Sequence, residues 1–301
     1  RMKKYQLKNN ILIGIVIGLC IIVIAMASVI WMNYDYIFFK FFISKDYIFT
    51  DTLDKMYKDT LSVDIKSEKE YYKYFDNIAI SLISEKIKTT GNDPYTYQYT
   101  PSQYSSYIEN RSEKANMTHT ELLNENTILL KYTNFSDESM DIFKKSVKTI
   151  NDYSRIIIDL RDNTGGGLDE AYELSSYFLN PDDISYIIKY RDKLEPAIVK
   201  SNKILDFQKI IILQNNNTAS ASEIFINALK ENLNNVITVG VKSFGKGIGQ
   251  TTYSIKNGFH VKATTFLVLT PNQNSIHSIG IVPDYLYEDE ETIIDFCMSL
   301  E

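Results

Sequence analysis

Between Ile11 and Met32 the chain runs for 22 residues without a charge, and no other feature narrows its options as much. At 1.5 Å per residue a helix of that length crosses a hydrocarbon core of about 30 Å, so the stretch predicts a membrane span or an export signal. Arg1, Lys3, Lys4 and Lys8 precede it. Positive residues stay on the cytoplasmic side, which sends residues 33–301 across the membrane. Ala25-Met26-Ala27 has the small residues of a cleavage site, but Val29, Ile30, Trp31 and Met32 prolong the apolar run, and the reading is an uncleaved anchor. The expected organisation is a cytoplasmic tail over 1–10, an anchor in the lipid bilayer over 11–32, a helical segment and lid over 33–121, and a core over 122–301. The expected location is the cell membrane, single-pass, with the catalytic part extracytoplasmic.

Composition excludes several functions. With 44% hydrophobic and 23% charged residues the chain is globular, and its formal net charge of -6 opposes a general grip on nucleic acid phosphates. Two cysteines, Cys20 and Cys297, build neither a disulfide framework nor a zinc cluster. The histidines, His119, His260 and His277, form no ligand-spaced pair, so no metal or other cofactor is expected. The oligomeric state is left open.

Tyr71, Phe75, Ile78, Ala79, Leu82, Ile83 and Ile87 recur at helical spacing from Glu68, with Gly91 as the stop. Asn92-Asp93-Pro94 breaks that helix, and the Tyr-rich stretch to Glu121 reads as a long surface connection or lid. From Asn126 strands and helices alternate. Thr127–Tyr132 reads as a strand; Ser136 caps a helix whose Met140, Phe143, Val147 and Ile150 share a face; strands follow over 155–160, 185–190 and 209–213, with helices over 168–178 and 221–231. Strands over 236–239, 251–255 and 260–270 close an α/β layer architecture.

Three loops carry chemistry. In Asp159-Leu160-Arg161-Asp162-Asn163-Thr164-Gly165-Gly166-Gly167 a strand enters three glycines and then a helix, a turn whose bare amides can bind an anion or an oxyanion, or which simply needs positive φ. In Asn215-Asn216-Asn217-Thr218-Ala219-Ser220-Ala221-Ser222-Glu223 another strand meets a helix. Ser220 with Glu223 forms a capping box, and the same position suits a nucleophile at a helix N-terminus. In Ser243-Phe244-Gly245-Lys246-Gly247-Ile248-Gly249-Gln250 a phosphate-binding loop is disfavoured, because Gly247 stands where Ser or Thr would hold magnesium. Lys246, Ile248 and Gln250 share one side of an extended segment, and a lysine withdrawn from water can deprotonate a serine. A Ser-His-Asp triad with His277 is the weaker alternative.

Together these loops resemble the carboxyl-terminal processing peptidases, or tail-specific proteases, a serine peptidase family with a crotonase-like α/β core. The matching pieces are DLRDNTGGGLDEA over 159–171, TASASEIFINAL over 218–229, FGKGIGQ over 244–250 and IGIVPD over 279–284, with Asp93-Pro94-Tyr95 and Tyr99-Thr100-Pro101 upstream. The resemblance implies Ser220 as nucleophile, although Thr218 replaces the first serine of the family's pattern. It implies Lys246 as general base and Gln250 as the residue that orients it. The oxyanion donors it implies are the Ala221 N–H and an N–H of Gly165 or Gly166. The family inserts a PDZ domain before its first core strand, whereas only Gln103 to Asn126 lie there, so that module is expected to be missing and tail selection to work differently.

The resulting expectation is a serine endopeptidase that cuts protein or peptide substrates through a Ser/Lys dyad and an acyl-enzyme. A non-catalytic peptide-binding module on the same fold is the alternative. An acyl-CoA enzyme on the related core is disfavoured by export, since CoA is cytoplasmic.

Overall fold

The computed structural model describes residues 2–49, 75–90, 93–115 and 117–300. It divides into two compact units, one of residues 1–101 with 252–263, the other of 102–251 with 264–301. The division falls at Pro101 rather than at 121, and residues 252–263, expected in the core, group with the N-terminal unit.

In the first unit α1 (Met2–Met32) contains the one helix among the described residues that is long and apolar enough to cross a membrane, Asn10–Met32, with mean hydropathy 3.0 and none of it buried. A signal sequence meets the same description. After Asn33 comes α2 (Tyr34–Asp46), then α3 (Phe75–Thr90) and the short strand β1 (Tyr97–Tyr99). The predicted helix from Glu68 is present from Phe75, while Tyr71, Gly91 and Asn92 lie outside the described residues. Its buried positions include Ile80, Ser81, Ser84 and Ile87. Phe39, Phe42, Ile43 and Tyr47 of α2 and the turn after it pack with Ile80 and Ile87 against Val261 and Ala263. Asp93 of the Asp-Pro-Tyr motif is the polar hub of this unit: Tyr47 and Thr96 hydroxyls and the Tyr95 N–H all donate to its carboxylate, at 3.0, 2.7 and 3.0 Å.

The second unit holds α4 (Pro101–Ala115), β2 (His119–Leu122), β3 (Thr127–Lys131), α5 (Asp137–Ile150), β4 (Arg155–Asp159), α6 (Leu168–Ser176), β5 (Ile184–Lys189), β6 (Leu194–Ile198), β7 (Lys209–Gln214), α7 (Ala221–Asn232) and β8 (Val236–Gly240). Then come the hairpin of β9 (Ile248–Ser254) and β10 (His260–Leu269), whose tip belongs to the first unit, and β11 (Tyr285–Leu286) and α8 (Ile293–Ser299). The expected lid over 95–121 is instead strand, helix and strand, with Pro101 opening α4, where a missing N–H costs nothing.

A six-stranded sheet in the order β11-β8-β7-β4-β3-β2 forms the centre, parallel except where β2 meets β3. The inner strands β3, β4 and β7, with β8, are near-continuous apolar runs because both faces are covered. Ile156, Ile158, Ile210 and Ile212 face Met140, Phe143, Leu174, Phe178 and Phe225 of the helical layer, while Ile157, Ile211 and Leu213 face Ile293 and Cys297 of α8. Burial pushes the Cys297 thiol up to about 12, so it is an inert core residue. Within the same unit β5 pairs antiparallel with β6 and with the second half of β10.

The parallel order matters because β4 and β7 are neighbours in register, Asp159 opposite Leu213. Their carboxyl ends therefore deliver the glycine loop and the serine loop to the same edge, the usual place for sites in open α/β sheets.

The Pro-Asp of the IGIVPD segment fastens the start of β11 to β8 and to the last turn of α7. Asp284 accepts both oxygens' worth of bonds from Lys230 Nζ at 2.7 Å, and from the Thr238 N–H at 2.8 Å and hydroxyl at 3.0 Å. Burial would raise its carboxyl, but the bonds from Lys230 and Thr238 outweigh it and hold the group below the ordinary Asp value. A carboxyl lowered in the folded state stabilises above its unfolded pKa and loses that stabilisation as pH falls through the folded value. Asp284→Asn is therefore expected to lower Tm at neutral pH, with the gap to the unaltered protein narrowing below about pH 4. A Tm gap that does not narrow in acid would assign the effect to lost packing alone.

Candidate active site

Ser220 sits at the turn between β7 and α7 with φ 58 and ψ -120, a conformation that side-chain-bearing residues rarely adopt. Such strain at a strand-to-helix turn presents a hydroxyl outward at the mouth of a helix. Ser220 is half-buried, whereas Ser222 is fully buried and its hydroxyl donates to Asn163 O at 2.9 Å. Ser222, the other serine at the start of this helix, is therefore structural.

The glycine loop is fastened directly against this turn. Ala219 N–H donates to Asn163 O at 3.0 Å, and Thr218 Oγ1 to Leu160 O at 2.8 Å. Asp162 accepts from Asn215 Nδ2 at 3.0 Å and Asn217 Nδ2 at 2.8 Å, and these bonds hold its carboxyl below the ordinary Asp value. The approach is so close that a Cβ on Gly165 would lie 2.7 Å from Ala219 O, 2.8 Å from Ser220 Cβ and 2.9 Å from Ala221 N. A glycine is required there by space, and φ +96 excludes side chains independently.

The two expected glycine donors now separate. Gly165 N–H is already bonded to Asn163 Oδ1 at 2.9 Å, so it is not open to an oxyanion. Gly166, exposed, and Ala221, the first residue of α7, have amides with no acceptor among the described residues. Open amides on both sides of a serine turn can receive negative charge developing on a carbonyl oxygen.

Glu223 is the residue the sequence reading undervalued. It is fully buried and lies one turn into α7. Oε2 accepts from Ser220 N–H at 2.9 Å and from Lys246 N–H at 2.8 Å; Oε1 accepts from Gly245 N–H at 2.7 Å and from Ser243 Oγ at 2.5 Å. Two amides bonded to one oxygen cannot be farther apart than those two bonds laid end to end, so Glu223 brings the backbones of Ser220 and Lys246 together. A second tie, Phe244 N–H to Thr218 O at 3.0 Å, fastens the same loops. The signal was present as the third position of a capping box, a pattern that explains one of its four bonds.

Lys246 is half-buried in the short loop before β9. Among the described residues no hydrogen bond joins its ammonium to the Ser220 hydroxyl or to Gln250. Gln250 Nε2 instead meets Ile248 O at 3.5 Å, the outer limit of a hydrogen bond. Only Ile248 and Gln250 of the expected extended trio are in β9. His277 reaches the same loop: its backbone nitrogen would lie 2.8 Å from a Cβ on Gly247, and Ser278 N–H donates to Gly245 O at 2.8 Å.

Beside these loops, Tyr186, Ile224, Asn227, Val268, Leu269, Thr270 and Ile276 pack together and leave no room for a water-sized molecule between them. Ile224 follows Ser220 by one helical turn, its N–H bonded to Ser220 O at 3.0 Å, and Val268 N–H is bonded to Gly247 O at 2.9 Å. Burial pushes the Tyr186 hydroxyl up to about 12, so this cluster stays uncharged.

A hydroxyl on a strained turn before a helix, flanked by open amides and tied to a lysine loop, defines the class of serine-type peptidases. Residues 126–287 match peptidase family S41, and the chain belongs to that family. It is 38% identical over 138 residues to a probable CtpA-like serine protease of Staphylococcus saprophyticus, a match covering 45% of this chain and 28% of that protein. The chain thus matches little more than a quarter of that relative's length. Its fold resembles a lipoprotein from Streptococcus agalactiae, with TM-score 0.64, 15% identity, and coverage of 89% of this chain and 95% of the other. It also resembles the photosystem II D1 C-terminal processing protease, with TM-score 0.62, 15% identity, and coverage of 86% and 94%.

Proposed function

We propose that this protein is a membrane-anchored serine endopeptidase working outside the cytoplasm, with Ser220 as nucleophile and Lys246 as general base. The observation that carries the reading is the φ of +58 at Ser220, a strain found where a nucleophile must stand clear of its helix, with the Gly166 and Ala221 amides unbonded beside it. Lys246 takes the Ser220 proton, Oγ attacks the peptide carbonyl, and the two amides receive the oxyanion. Lys246 then protonates the leaving amine, and water hydrolyses the acyl-enzyme. The flexible four-carbon lysine stem closes the gap to Ser220 by rotation, with Gln250 turning from Ile248 O to meet it, since such bonds tighten when substrate binds.

A serine-reactive fluorophosphonate tests this directly. Intact-mass analysis is expected to show one adduct per chain, mapped to Ser220, formed at neutral pH and suppressed in Lys246→Met. An adduct elsewhere, or none on a folded chain, would leave the peptide-binding module as the better reading.

A further inference from the structure

We propose that the tip of the β9–β10 hairpin, residues 256–258, together with the α1–α2 junction, is a seat on phospholipid headgroups at the outer membrane surface. The proposal rests on the anchor reading and deepens it by stating where the protein touches the bilayer beyond its span. Helical hydrogen bonding runs through the junction, from Asn33 N–H to Val29 O at 3.1 Å and from Ile37 N–H to Asn33 O at 2.9 Å, so α2 leaves the membrane along the line of α1. From Ile11 the apolar side chains of α1 remain open up to its end, with Trp31 71% exposed. Residues 11–32 already span about 33 Å of helix, which puts Trp31 and Tyr34 at the boundary between hydrocarbon and headgroups.

Lys256 comes to that same level. Its ammonium donates to Trp31 O at 2.5 Å and stands 5.0 Å from the Trp31 ring centre and 5.5 Å from that of Tyr34. Its backbone N–H donates to Asp35 Oδ2 at 2.9 Å, and Asp35 is otherwise buried against the unit. Behind it Tyr253 packs on Phe42 and Phe38, at 3.9 and 6.2 Å between ring centres. The hairpin tip is therefore tied by side chain and backbone within a turn of the last apolar residues. Two amphipathic rings around an ammonium with donors to spare is the chemistry that meets lipid phosphate above and acyl chains below.

The test places a bimane label on the full chain reconstituted in phosphatidylcholine and phosphatidylglycerol vesicles. Asn257→Cys carries it in a Cys20→Ala background, Cys297 being buried, and Ser254→Cys is a second site with ordinary backbone geometry. Lipid with a headgroup nitroxide is expected to quench the label at least twofold, lipid with a nitroxide midway down the acyl chain much less. Lys256→Glu is expected to lose most of that quenching while the chain still floats with the vesicles. A floating chain whose label is quenched by neither lipid, or equally in Lys256→Glu, overturns the seat. Quenching replaced by a signal that depends on dilution with unlabelled chain assigns the face to a second copy and also overturns it. A chain that does not float overturns the anchor reading, and the seat with it.

Discussion

Ser220→Ala is expected to reduce hydrolysis of an unstructured protein substrate by a factor on the order of 10⁴–10⁶, the range seen when a nucleophile is removed from a catalytic unit that keeps its other parts. Its Tm should stay within about 2 °C, because the exchange deletes one half-exposed hydroxyl and leaves the backbone strain in place. Lys246 separates proton transfer from simple charge. Lys246→Arg keeps a cation of similar reach that does not give up its proton, so it should be as inactive as Lys246→Met. Activity retained in Lys246→Arg would mean that the lysine acts by charge and that the base lies elsewhere, with His277, packed on the same loop, the first place to look.

Glu223 should produce the largest combined effect on stability and activity. Glu223→Ala leaves the amides of Ser220, Gly245 and Lys246 and the Ser243 hydroxyl without their acceptor in a buried site. Losses of this kind cost on the order of 3–5 kcal/mol, which corresponds to a Tm drop of roughly 10 °C in a domain of this size. Glu223→Gln is the sharper probe. It keeps the shape but turns one oxygen into an NH₂ group that must face two donors, so the serine and lysine loops should part. Well below its Tm, this variant should react with the serine-directed probe at least about 100-fold more slowly, because misplacement of about 1 Å costs that much. A Glu223→Gln protein with lowered Tm but undiminished probe reactivity would make Glu223 a purely structural cap.

Most of the second unit was legible in the sequence because each of its signals is local. The alternating strands and helices from Thr127 to Thr270 follow from period and caps, as with Ser136, whose Oγ accepts from Ser139 N–H at 3.3 Å. The apolar face of α5 was read correctly as Met140, Phe143, Val147 and Ile150. Elements held by their partners more than by their own pattern escaped: β1, β6 and β11 are short edges, and α4 is polar throughout, so hydrophobic spacing carried no signal for any of them.

The candidate residues themselves were also visible one by one. Sequence alone settled that the chain carries a 22-residue apolar span, an α/β layered core, a serine and a glycine turn each placed where a strand meets a helix, and a lysine in a glycine-rich extended segment. Spacing in a linear chain reports on neighbours within a turn or two, and it says nothing about which of several donors is already bonded. Only the tertiary structure decided that Gly165 N–H is taken by Asn163 while Gly166 and Ala221 remain open. It alone showed Ser222 sealed in the core. It also turned Glu223 from a helix cap into the carboxylate joining the backbones of Ser220 and Lys246, 26 residues apart in the chain. The last two outcomes depend on groups brought into hydrogen-bond range by the sheet order β7-β4 and β7-β8, a through-space fact that no stretch of sequence contains, while the Asn163–Gly165 bond is set by the fold of a single loop.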